Sequence, residues 1–95
     1  MMLLKNKLRA VYSRTVHGNV IVVIDHGQGK SVTNDAENVI SDLAVDFDLS
    51  KYLVIYCDTR GIYDQLLVDR TGHFAGFCSI NERDLSAALA RVTRH

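Results

Sequence analysis

The chain has 95 residues, 47% hydrophobic and 23% charged, with 11 basic side chains balanced by 11 acidic ones for a formal net charge of zero. That length suits one domain (1–95) with a modest core, and the apolar content excludes an intrinsically disordered chain. Zero net charge removes any global pull toward nucleic acid or a membrane surface, and no apolar run approaches the ~20 residues that span a bilayer.

Met1-Met2-Leu3-Leu4 meets Lys5 before an apolar core can build, so no signal peptide is expected. Two cysteines, Cys57 and Cys78, are too few for a secreted disulfide scaffold. A reduced, cytoplasmic protein is the expectation. Residues 1–18 hold Lys5, Lys7, Arg9 and Arg14 and no acid, a charge of +4. Leu8, Ala10 and Tyr12 alternate with polar neighbours, although Leu4, Leu8, Val11 and Tyr12 would equally suit a helix. The β-favouring run Val11 to Val16, closed by His17-Gly18-Asn19, favours a strand and hairpin. Its basic residues read as guards on an edge strand. The alternative, a phosphate-contacting arm, lacks the aromatic interleaving of a nucleic-acid binder.

Val20-Ile21-Val22-Val23-Ile24 is continuous and β-branched, the mark of a central strand buried on both sides. It runs into Asp25-His26-Gly27-Gln28-Gly29-Lys30-Ser31. A helix over about 34–47 is predicted next, with Asn34 and Glu37 as a capping box and Ala36, Ile40, Leu43, Ala44 and Phe47 as its apolar stripe. Strand, helix and strand make a right-handed βαβ unit, placing Val20–Ile24 parallel to Leu53–Cys57. Residues 19–50 carry six acids against Lys30, a charge of −5, which offsets the basic start.

Residues 52–80 read as an antiparallel meander joined by two copies of one turn, Asp58-Thr59-Arg60-Gly61 and Asp69-Arg70-Thr71-Gly72. Asp in first place accepts local N–H bonds and Gly in fourth suits the bulge that closes a three-residue loop. An unbroken register would put Phe77 on one face with Tyr63 and Leu67. It would set Asp64 between Tyr56 and Cys78, and point Cys57 and Cys78 to opposite faces. A second helix over about 82–93 has Asn81 as N-cap, Asp84 in the box position, and Leu85, Ala88, Leu89 and Val92 as its stripe. The prediction is an α+β fold in order β-β-α-β-β-β-α around a five-stranded mixed sheet.

Both sheet faces are apolar, and the two helices are expected to cover the same one. The bare face, through Tyr63, Leu67 and Phe77, would then meet a partner. A homodimeric interaction module is therefore the leading expectation, with an outside protein partner as a variant. The alternative is a small ligand-binding protein or hydrolase-like enzyme at the carboxyl ends of the parallel strands. There Asp25, His26 and Asp58 are catalytic candidates, and Gly27, Gly29, Lys30 and Arg60 ligand-binding ones. Asp64, mid-strand beside Tyr56, is a further candidate, since a buried carboxylate must find hydrogen bonds or shift its pKa. Gly29-Lys30-Ser31 fails as a phosphate-binding P-loop, because Ile24 stands where the first glycine belongs. Asp46 fails as the start of a calcium loop, with Lys51 at the turn-glycine place. The histidines and cysteines show no metal-ligand spacing, and no nucleophile elbow occurs. No cofactor or metal is expected, and the catalytic alternative stands second to the interaction module.

Overall fold

The computed structural model of the chain describes residues 12–27 and 32–93. The basic residues Lys5, Lys7 and Arg9, and the candidates Gly29 and Lys30, lie outside the described residues. β1 (Tyr12–His17) and β2 (Val20–Asp25) form a hairpin through the two-residue turn Gly18-Asn19, with His17 paired to Val20. α1 (Val32–Asp46) follows, then a 3-10 turn (Leu49–Lys51), β3 (Leu53–Cys57), β4 (Tyr63–Val68), β5 (Phe74–Ser79) and α2 (Glu82–Thr93). The sheet order is β1-β2-β3-β4-β5, with β2 parallel to β3 and every other pair antiparallel. This is the α+β order expected from the sequence.

β2 and β3 are central because their side chains are apolar on both sides. Ile21, Val23, Val54 and Tyr56 point to one face, where Ala36, Val39, Ile40 and Leu43 of α1 cover them. The helical stripe therefore runs through Val39, and Ala44, expected in it, is exposed. Leu49 seals the end of this layer, and Phe47 meets Tyr52 edge-on at 5.3 Å. Arg14 reaches from β1 over the Phe47 ring, 5.3 Å from its centroid, to Asp46 at 3.4 Å. One contact thus joins the basic start of the chain to its acidic middle. α1 begins at Val32, two residues before the expected Asn34 cap, so Asp35 falls in its first turn.

The second helix corrects the sequence expectation. α2 lies on the face opposite α1, where Ala88 and Val92, with Leu85 and Leu89, pack against Val20, Val22, Leu53 and Ile55. It leaves β5 through an Asn81–Asp84 box, Asp84 N donating to Asn81 Oδ1 at 2.8 Å. It ends beside the β1–β2 hairpin, where Arg91 Nη2 donates to Asn19 Oδ1 at 3.1 Å. The handedness rule restrains α1 alone, because only α1 joins parallel strands. α2 departs from an edge and takes the side where apolar residues of β2 and β3 are still uncovered.

The meander turns hold as expected, with Asp58 N bonded to Ile62 O and Asp69 N to His73 O. The register between β4 and β5 does not. Val68 pairs with Phe74 but Leu67 with Gly76, so Ala75 is an extra residue in a bulge. Gly76, at φ 129°, supplies the backbone conformation the bulge needs. Every later side chain changes face. Phe77 pairs with Leu66 and joins the α1 layer, 5.2 Å from Phe74 and 6.0 Å from Tyr56 by ring centroids. It does not share a face with Tyr63 and Leu67. Cys78 now lies opposite Gln65, on the same face as Cys57, with β4 between the two free thiols. Asp64 stands opposite Tyr56 and Ser79, not Cys78.

Candidate functional site

The carboxyl ends of the parallel strands carry the polar chemistry of the fold. Asp25 closes β2 and is buried, with 7% of its surface exposed. Its Oδ1 accepts from Gly27 N at 2.7 Å, and its Oδ2 accepts from the Tyr56 hydroxyl. Gly27, at φ 90°, folds that amide back on the carboxylate, and a Cβ there would meet Thr59 Cγ2 at 3.4 Å. Tyr56 sits on β3 level with Val23, two residues before Asp25 on the neighbouring strand. Its hydroxyl therefore rises beside the β2 carboxylate instead of crossing to Asp64 on β4.

The third member is Asp35. Its carboxyl lies close enough to that of Asp25 for the two to interact, and a protonated Asp35 can donate to it. Burial, that hydrogen bond and the Asp25 charge raise the Asp35 pKa to about 6. Burial first, then the bond to Asp25 and the charges of Asp25, Asp35 and Asp58, push the Tyr56 phenol far above its usual range. Tyr56 is thus a fixed donor at any ordinary pH. The result is a chain in which Tyr56 holds Asp25, and burial together with Asp25 raises the proton affinity of Asp35.

Asp58, expected beside Asp25 as a second catalytic carboxylate, is committed elsewhere. It is 4% exposed, and its Oδ1 accepts from Arg60 N at 2.8 Å and Ile62 N at 3.1 Å. Its Oδ2 accepts from Arg60 Nη2 at 2.6 Å. The Arg60 hydrogen bond, opposed by burial and aided by these amides, holds its pKa below the usual carboxylate range. Asp58 and Arg60 therefore tie off the β3–β4 turn. His26 is exposed and turned toward β1, with Nε2 3.1 Å from Ser13 Oγ. Asp64 is half-buried on the α1 face. Of the expected interface residues, Tyr63 is half-buried against the α2 layer and Leu67 is 36% exposed. Tyr63 also bonds Cys57, whose thiol burial pushes upward and so keeps it protonated.

Sequence reasoning reached Asp25 and missed Asp35 and the hydroxyl of Tyr56. A second pair repeats the pattern nearby, where the Tyr12 hydroxyl donates to Asp42 Oδ2. Tyr12 stands opposite Asp25 in the β1–β2 register, and Asp42 follows Asp35 by two turns of α1. A cleft of about 230 Å³ lined by Tyr12, Ser13, Arg14 and Asp42 therefore adjoins the carboxyl pair. Among the described residues no group of three or more His, Cys, Asp or Glu side chains is arranged to hold a metal. None of the helices in the described residues is long and apolar enough to cross a membrane.

Fold and site together define a small α+β protein with two neighbouring carboxyls, Asp25 and Asp35, at the carboxyl ends of two parallel strands. No protein-family model, curated protein or solved structure matches the chain.

Proposed function

We propose that the protein binds a small cationic ligand at the Asp25–Asp35 pair, the ligand taking the place of the shared proton. The Asp35 carboxyl beside that of Asp25, its pKa raised by burial and by that neighbour, carries this reading. Burial and the neighbouring Asp25 raise the Asp35 pKa, so the ionised pair carries one negative charge too many unless a proton or another cation sits between them. Such pairs are costly in a small domain, and perturbed carboxyls at strand ends concentrate where ligands bind. The adjoining cleft with Asp42 gives access from the β1 side. A metal ion and an organic amine share the charge the site calls for, so both belong in the test. The assembly expectation rested on a bare sheet face, and α2 covers the middle of that face.

Titration of the protein with Mn²⁺ and separately with 1,4-diaminobutane, followed by calorimetry, tests the reading. Affinity for the cognate probe should rise about tenfold from about pH 5 to about pH 7.5, since one proton of pKa about 6 must leave. Asp35→Asn should abolish that rise while leaving the circular dichroism spectrum intact. Equal affinity at both pH values, or the same rise in Asp35→Asn, would contradict the proposal.

A further inference from the structure

We propose that two copies of the chain associate by antiparallel pairing of β5 with β5, joining two five-stranded sheets into one of ten. β5 is a terminal strand of the sheet, paired on one side to β4. Among the described residues no backbone hydrogen bond reaches its outer side. An open strand edge specifies its occupant chemically, because its alternating N–H and C=O groups are satisfied only by another extended backbone. Chains that stay monomeric guard such edges with lysine, proline, an inward charge or a bulge. Phe74–Ser79 has no lysine, proline or charge, and its one bulge falls at Ala75, which leaves Phe77-Cys78-Ser79 regular.

A second copy fits better than an unrelated strand for two reasons. The aromatic pair Phe74–Phe77 ends the α1 layer at this edge and is half-buried. A two-fold axis normal to the sheet keeps faces matched, so each copy extends the other's aromatic row on the same side. The same axis sets the Asp69-Arg70 end of one strand beside the Glu82-Arg83-Asp84 end of the other, both exposed and each carrying both signs of charge. This contact is independent of the carboxyl pair, which lies on β2 and α1.

Sedimentation of the full chain at tens to hundreds of micromolar should show a mass twice 10.6 kDa. Cys78 is exposed in the regular part of β5, whereas Cys57 is buried. A short bis-maleimide should therefore trap a covalent dimer through Cys78, and Cys78→Ser should not be trapped. Cys78→Lys, which places a charge on the edge, should be a monomer with an unchanged circular dichroism spectrum. If that variant fails to fold, Ala75→Lys should give the same result. A monomer throughout the concentration range would overturn the proposal, as would a dimer indifferent to both lysine variants.

Discussion

Asp58→Ala should cost about 2–4 kcal/mol of folding stability, among the larger losses available from a single polar side chain. The carboxylate is buried and accepts from two backbone amides and the Arg60 guanidinium. Removing it strands two N–H groups in the turn between β3 and β4 and frees a cation that was paired. Charge-assisted bonds of this kind are worth roughly twice neutral ones. The second turn supplies the control. Asp69 makes the same local pattern, accepting from Thr71 N at 2.9 Å and His73 N at 3.0 Å, but is exposed. Water can replace those bonds, so Asp69→Ala should lose distinctly less. Denaturant unfolding of the two variants at neutral pH measures both. Equal losses would mean that burial of the β3–β4 turn contributes nothing. The sign with pH follows from the lowered Asp58 pKa. Its contribution is complete above the ordinary carboxylate range and falls away as acid protonates the folded state.

Asp35→Asn should do the opposite and stabilise the protein. A folded pKa of about 6 stands above the unfolded value, so folding holds a proton that the unfolded chain releases. Below about pH 4 the acid is protonated in both states and costs nothing. Between that point and about pH 6 stability drains away as pH rises, and above it the loss is constant. The full shift corresponds to about 3 kcal/mol, and partial exposure of Asp35 screens it to about 1–2 kcal/mol. Asparagine keeps a donor for Asp25 and has no charge to lose. The variant should therefore gain that amount at about pH 7.5 and nothing at about pH 4. Chemical denaturation at both pH values reads it directly, and a gain that does not depend on pH would contradict the shared proton. A pair that destabilises its own fold at neutral pH is a cost that ligand binding would offset.

Much of this architecture can be read from residue order, and the failures have physical causes. The β-branched run Val20–Ile24 announces a central strand, and its first four side chains, Val20 to Val23, are buried on alternating faces. The paired Asp-x-x-Gly turns set where β3, β4 and β5 begin. Gly76 was the visible sign of the bulge, since glycine inside a strand commonly marks one. A register without that bulge sets Phe77 and Cys78 on the wrong faces. The side taken by α2 depends on which apolar surface is left after α1 has packed, a property of the assembled sheet with no local signature. Asp25 was legible as the end of a strand. Asp35 was not, because a start at Asn34 treats the next residue as ordinary helix surface. Tyr56 could be placed on its strand, but the direction of its hydroxyl follows from the stagger of β2 against β3.

The most direct measurement is a carboxyl-carbon NMR titration of Asp35 in the intact chain, with Asp35→Asn used to assign the resonance. The shared proton should hold its midpoint near pH 6, and Tyr56→Phe should move that midpoint by disturbing the charge on Asp25. A midpoint near pH 4, indifferent to Tyr56, would mean that the two carboxyls do not share a proton.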